Sequence, residues 1–150
     1  MSIFKSMNIT ASALTAQRLR MDVVSSNIAN VDTTRARQVN GEWEPYRRKS
    51  VSLSSDEGRF SNFLNVAMGK NGTGEGVKVT AINDDTETPF KLVYDPTHPD
   101  ANEDGYVEMP NVDLLKEMVD LMSATRSYEA NVTVFNANKS MLTKALEIGK

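Results

Sequence analysis

An unbroken heptad seam in the last third of the chain limits its possible folds more than any other feature. In steps of four and three, Leu114, Met118, Leu121, Thr125, Tyr128, Val132, Phe135, Lys139, Leu142 and Leu146 fall on one line. Eight of these ten are apolar or aromatic, and neither Gly nor Pro interrupts the run from Val112 to Ile148. The run predicts a continuous helix about 55 Å long at 1.5 Å rise per residue. That is longer than a compact domain of this mass needs, and a stripe of that length requires a partner all along it.

The other end of the chain offers one. Met7, Leu14, Met21 and Ile28 recur every seven residues, with Thr10, Gln17, Val24 and Val31 three places after each. No Gly or Pro lies between Ser2 and Asn30, so this segment predicts a second long helix. Asn30 suits a left-handed cap, and Val31-Asp32-Thr33-Thr34 favours extended chain beyond it. At the start of the C-terminal helix, Pro110 excludes an earlier helical run, Asn111 can cap, and Asp113 complements the dipole.

Matching seams predict a coiled-coil-like pair of terminal helices. The competing reading is an ordinary amphipathic hairpin inside a globular domain. Against it stands a second, partial stripe: Leu115, Val119, Met122, Ala130, Val134, Ala137, Met141, Ala145 and Ile148. The N-terminal helix also carries Ala11, Ala13, Ala16, Val23 and Ala29 away from its seam. Two helices cover one seam each, so the remaining apolar surface needs the middle of this chain or other subunits.

Between the helices the periodicity changes. Short alternating runs at 46–53, 77–81, 90–94 and 106–109 are bounded by turn residues and predict a small antiparallel β region. Phe60, Phe63, Leu64, Ala67 and Met68 suit a short helix instead. The expected fold class is therefore α+β, with helices over 1–32 and 111–150 and a β-rich middle over 33–110. Arg47-Arg48-Lys49 forms a compact basic cluster ahead of an acidic stretch; a solvated strand end is its default reading, and acid groups on a neighbour are the alternative.

The 150 residues carry a net charge of −3, which gives no reason to expect nucleic acid or an anionic membrane as partner. No apolar run approaches the roughly 18 residues of a membrane span. Met1-Ser2-Ile3-Phe4-Lys5 lacks the basic-then-apolar layout of a cleaved signal peptide. Without cysteine, disulfides and thiolate chemistry are excluded.

Three motifs invite a chemical reading. Gly69-Lys70-Asn71-Gly72-Thr73-Gly74-Glu75-Gly76 resembles a phosphate loop, but its Lys comes first and a strand-like run follows, so a hairpin loop is preferred. Asp100 to Gly105 matches half an EF-hand loop, but the twelfth position holds Asn111 and no helix precedes it; an Asx-rich turn fits better. His98, the sole histidine, sits between Pro96 and Pro99 in a rigid turn. No catalytic, cofactor-binding or metal-binding residue is assigned, and no small-molecule substrate is expected. The methionines on helix stripes read as core gap-fillers.

Several segments together carry a resemblance. Ser25-Ser26-Asn27-Ile28-Ala29-Asn30-Val31-Asp32-Thr33-Thr34 resembles the N-terminal signature of bacterial flagellar axial proteins of rod and hook. Thr33-Thr34-Arg35 followed by Pro45-Tyr46-Arg47-Arg48-Lys49 is similar to the FlgC-type proximal rod family, as is the run from Val93 to Val107. Met109-Pro110-Asn111-Val112-Asp113, Glu117-Met118-Val119-Asp120 and Arg126-Ser127-Tyr128-Glu129-Ala130-Asn131 complete the likeness, which covers nearly the whole chain. Many rod and hook relatives carry Gly-Phe or Gly-Tyr after the Thr pair; Arg35-Ala36 departs from them in the direction of the FlgC type.

The resemblance implies a structural, non-enzymatic subunit of the basal-body rod. Its terminal helices would form the inner layer of a helical tube that transmits torque and forms part of the export channel. The assembly interface would comprise Met7, Leu14, Met21, Ile28, Leu114, Met118, Leu121, Tyr128, Val132, Phe135, Leu142 and Leu146. Expected partners are further copies, other rod subunits and the flagellar type III export apparatus, with export to the periplasm and no cleaved signal. The resemblance leaves open contact with the surrounding basal-body rings. Another axial component of the same system is the nearest alternative, and a metal- or nucleotide-binding module the more distant one.

Overall fold

The computed structural model describes residues 3–56, 67–68 and 76–148. Helix α1 spans Ile3–Ala29 and helix α2 spans Leu114–Ile148, 27 and 35 residues respectively. Between them lie β1 (Arg37–Val39), β2 (Glu42–Glu44), β3 (Lys49–Ser55), β4 (Val77–Asp84), β5 (Lys91–Tyr94) and β6 (Tyr106–Met109). They pair as three two-stranded ribbons, β1 with β2, β3 with β4, and β5 with β6. The α+β class with two terminal helices around a β-rich middle is the architecture observed.

Four of these strands fall on the alternating runs of the sequence. The β1–β2 hairpin does not. It turns on Asn40 and Gly41, whose φ angles of 54° and 93° are those of a tight two-residue hairpin turn. Asn-Gly is the strongest short hairpin signal a sequence carries, so this element was within reach of the sequence. Most of the expected helix around Phe60 and Phe63, and Gly69 to Glu75, lie outside the described residues; Ala67 is helical.

Two helix ends differ from expectation. Asn30 does end α1, but not through a left-handed backbone: among the described residues Asn40 alone of the non-glycines has positive φ. Instead the Asn30 side-chain amide donates to the Ser26 carbonyl at 2.8 Å, satisfying a carbonyl of the last turn. Asp113, not Asn111, caps α2. Its carboxylate accepts from the amides of Leu115 (3.0 Å) and Lys116 (3.3 Å). Asn111 is engaged elsewhere, as described below.

The chain divides into two compact units. One comprises Met1–Leu19, Ser52–Ala81 and Ser123–Lys150; the other comprises Arg20–Val51 and Ile82–Met122. In the first, α1 and α2 pair antiparallel through small and polar side chains. Thr10, Ala16, Ala124 and Asn138 are buried, and the Asn138 amide donates to Ser6 Oγ at 3.0 Å. Ser12 Oγ accepts from the Val77 amide at 3.1 Å, docking β4 on α1. Gly76 permits that approach, since a Cβ there would sit 2.6 Å from Ser12 Oγ. The Asp56 amide donates to the Gly76 carbonyl and Thr80 Oγ1 to the Ser52 carbonyl, so β3 and β4 run antiparallel.

In the second unit the end of α1 and the start of α2 enclose a core of Val23, Val24, Tyr46, Val107, Pro110 and Val112. β5 and β6 pair in register Leu92↔Glu108, Val93↔Val107 and Tyr94↔Tyr106. The alternation turns Val107 inward and leaves Leu92, Tyr94 and Tyr106 exposed.

The helix seam falls one residue away from the apolar one along half its length. Among the less exposed positions of α2, Glu117, Leu121, Ala124, Tyr128, Asn131, Phe135, Asn138 and Leu142 are again spaced four and three, with Asp120, Thr125, Ser127 and Val132 half-buried beside them. Leu121, Tyr128, Phe135 and Leu142 belong to the predicted line, as do the half-buried Thr125 and Val132. The exposed Met118 and Lys139 yield their places to Glu117 and Asn138, while Ala124 and Asn131 share theirs with Thr125 and Val132. On α1, Met7, Leu14, Met21 and Ile28 are half-buried, while Thr10, Ala16, Val23, Val24 and Asn27 are buried.

Candidate functional site

A buried polar knot forms in the unit that contains the end of α1. Asn27, from the last turns of α1, is fully buried. Its side-chain nitrogen donates to the Lys49 carbonyl at 2.8 Å and to Glu117 Oε2 at 2.9 Å. Its oxygen accepts from the Tyr46 hydroxyl at 3.0 Å and the Lys49 amide at 2.9 Å. Glu117, one turn into α2 and also fully buried, receives Arg48 Nε on its other oxygen at 2.6 Å. Asp120, one turn further, lies 3.7 Å from Arg48 and 3.3 Å from Arg20 of α1.

The backbone around Arg48 is held with equal care. Its amide donates to Asn111 Oδ1 at 2.8 Å, and its carbonyl accepts from the Asp85 amide at 2.7 Å. The Asn111 amide in turn donates to the carbonyls of Asp85 and Thr88, both at 3.0 Å. Lys91 Nζ donates to the Val112 carbonyl. Nearly every polar valence is satisfied, so the knot orders the junction of both helices with β3 rather than offering a reactive group.

The sequence signature thus divides by role. Asn27, Tyr46, Arg48, the Lys49 backbone and Asn111 meet in the knot; Pro110 is buried beside it, Asp113 caps α2, and Asn30 closes α1. Ala29 is exposed. The basic cluster is not a solvated strand end: Arg48 points inward, and Arg47 pairs with Glu44 while lying 4.4 Å over the Phe90 ring. Glu117 was the residue sequence reasoning left unassigned. A carboxylate on a helix reads as solvated, and only the approach of Arg48 and Asn27 from distant segments makes it a core residue.

Two surface latches surround the knot. Glu44 accepts from Arg37 Nε at 2.5 Å across the β1–β2 pair and from Arg47 Nη2 at 2.6 Å. These hydrogen bonds, with Arg37 the larger influence, hold its carboxyl below the usual range and raise Arg37. Asp100 accepts from Arg35 Nε at 2.6 Å and from Thr34 Oγ1 at 2.7 Å, and is lowered in the same way. This ties the 95–105 loop to the chain leaving α1. The half-motif for calcium is therefore a structural turn: Asp100 faces Arg35, and Asn102 Oδ1 accepts the amides of Asp104 and Tyr106. His98 Nδ1 accepts from the Asp100 amide at 3.1 Å within the same turn.

The other candidate surface lies on α2. Leu115, Val119, Met122, Val134, Met141 and Ile148 are between 50% and 86% exposed. At 100° per residue Leu115, Val119 and Met122 project opposite the Glu117–Leu142 seam, while Val134, Met141 and Ile148 lie to one side of it. They are the second stripe of the sequence. Leu114, Met118 and Leu146 of the first stripe are exposed as well. No described helix is long and apolar enough to cross a membrane, so this face does not belong to a span.

Comparison with known proteins gives concordant matches. Residues 7–37 match the family described as flagella basal body rod protein, and residues 103–148 match flagellar basal body rod FlgEFG protein C-terminal. The chain is 68% identical to the flagellar basal-body rod protein FlgC of Bacillus subtilis, over 100% of both chains. It is 46% identical to the protein of that name in Borreliella burgdorferi, over 99% of this chain and 98% of the relative. The identity to the Salmonella typhimurium protein is 42% over 100% of both.

Proposed function

The chain belongs to the FlgC family of flagellar basal-body rod proteins, and we propose that it polymerises through its terminal helices into the tube of the proximal rod. Its role is that of a structural subunit of the basal body, assembled with other rod components. In this reading the tube transmits torque and forms part of the export channel. The subunit reaches the periplasm through the flagellar type III apparatus, and it performs no catalysis.

One observation carries the reading: nine large apolar side chains of α2 are exposed in the single chain. They form two groups, over 114–122 and 134–148; such exposed apolar groups are unfavourable in water and read as interaction surfaces. Leu121, Tyr128, Phe135 and Leu142 work within the chain by holding α2 against α1. Leu115, Val119, Met122, Val134 and Met141 meet neighbouring subunits, joined by Leu114, Met118 and Leu146. Because the stripe meets a different surface on its neighbour, the contact is heterologous and repeats as a helix.

Val119→Asp and Met141→Asp test this directly, since both side chains project outward. The expected result is an unchanged circular dichroism spectrum of the monomer together with loss of rods and of motility. Motile cells carrying both substitutions would show that the stripe is not the subunit contact.

A further inference from the structure

A cavity of about 540 Å³ opens between the end of α1, the β1–β2 hairpin and the ends of β3 and β4, lined by Arg35, Arg37, Arg47, Lys49, Tyr46 and Asp84 among others. We propose that this cavity is the docking site for the acidic hairpin tip, Glu103 and Asp104, of a second copy of the chain. The proposal rests on the polymer reading and names one contact within it.

The charge balance of the cavity favours an incoming acid. Arg35 pairs with Asp100, Arg37 with Glu44 and Asp84, and Arg47 with Glu44. Three arginines therefore share three carboxylates, and Lys49 is the cation in excess. Lys49 has no carboxylate partner among the described residues; its ammonium lies 5.6 Å from the Tyr46 ring centroid. Arg35 and Arg37 keep 52% and 49% of their side chains exposed, leaving donors for a further anion. The walls are preorganised, because Asn27 binds both the Tyr46 hydroxyl and the Lys49 backbone.

The tip has the complementary shortage. Glu103 and Asp104 are exposed, with no cationic partner among the described residues. Their turn is fixed from within: Asn102 Oδ1 accepts from the Asp104 amide at 3.1 Å and the Tyr106 amide at 2.8 Å. Two adjacent carboxylates are thus presented on a rigid support. No ion pair joins them to the cavity of their own chain among the described residues, so the match is available to another copy. Tip and cavity are different surfaces, and their contact propagates head to tail, as the helical stripe requires.

The test is a titration of the isotope-labelled full chain with a synthetic peptide of residues 98–107 at low ionic strength, followed by amide shifts. Shifts centred on Tyr46, Arg47 and Lys49 are expected. They should vanish with Lys49→Glu, whose side chain takes no part in the knot, and with a peptide carrying Glu103→Gln and Asp104→Asn. Added salt should also weaken them. Absence of shifts, shifts that survive the neutral peptide, or shifts with inorganic phosphate but not with the peptide would each overturn the proposal. In cells, Lys49→Glu should reduce motility, and adding Glu103→Lys with Asp104→Lys should restore it. A failed titration alongside loss of rods in the α2 stripe variants would reject this contact and leave the polymer reading standing.

Discussion

Asn27 has two donors and two acceptor positions on its side chain, and all four are used inside the fold. That is why neither Asp nor a small apolar residue is equivalent there. Asn27→Ala takes their partner from Glu117 Oε2 and the Lys49 peptide groups in a buried place, and leaves the Tyr46 hydroxyl only Ser26 Oγ at 3.3 Å. Unfolding by urea should reveal a loss of about 3 kcal/mol, from unsatisfied groups at 1–3 kcal/mol each. Asn27→Asp should be worse than Ala, because it sets a second carboxylate against Glu117. If Asp proves no worse than Ala, the Glu117 contact is not the one that matters. Asp100 gives a pH prediction. Arg35, then Thr34, holds its folded pKa below the unfolded value near 3.9. The latch therefore contributes its full stabilisation above that value and loses it as pH falls through the folded pKa. The carboxyl carbon shift of Asp100 and the hydroxyl signal of Thr34 should change together below about pH 4, and a titration at the ordinary Asp value would exclude the latch. The signature motifs made Asn27, Tyr46 and Arg48 visible in the sequence, but not their burial. Polar residues from four segments meet only after folding, and nothing local marks Glu117 as their common partner.

At the scale of elements, periodicity identified both helices and left their contact face partly hidden. Apolar spacing finds the stripe that needs covering, and α2 carries more than one such stripe. The stripe that faces α1 alternates large side chains with small and polar ones, Glu117, Ala124, Asn131 and Asn138, which a search for apolar residues passes over. The caps were misread for a related reason: Asn111 and Asp113 both suit an N-cap, and tertiary bonds to Arg48, Asp85 and Thr88 claim Asn111. The β1–β2 hairpin, by contrast, is governed locally. Nothing lies within 4 Å of a Cβ built on Gly41, so Gly41→Ala meets only the backbone cost of positive φ. That cost is about 1 kcal/mol for a residue in the left-handed region. Trp43, the only tryptophan, stands across from Gln38 in this hairpin and is 56% exposed. Its fluorescence should redshift in Gly41→Ala at a temperature where the helices keep their circular dichroism. Simultaneous loss of both signals would mean that the hairpin is integral to the knot rather than an appendage to it.

Across the whole molecule, burial is distributed unevenly along the long helices, and this decides when each part is ordered. From Glu117 to Asn138 α2 returns a shielded residue every three or four positions. Beyond Asn138 only Leu142 is half-buried, while Met141, Leu146 and Ile148 are exposed. A helical segment of this length has marginal stability alone, since nucleation is costly and packing supplies most helix stability. The terminal turns of α2 should therefore open by local fluctuation in the free subunit. Hydrogen exchange on dilute monomer should show amides of 140–148 exchanging orders of magnitude faster than those of 121–138. In assembled rods the same amides should slow, because neighbours cover the outer stripe and the ordering cost is met once, on assembly. Equal and strong protection of both segments in the monomer would sink the idea that assembly completes the helix. An end that orders only against a neighbour also keeps the apolar side chains of the last turns, Met141, Leu146 and Ile148, on a weakly held segment until assembly covers them.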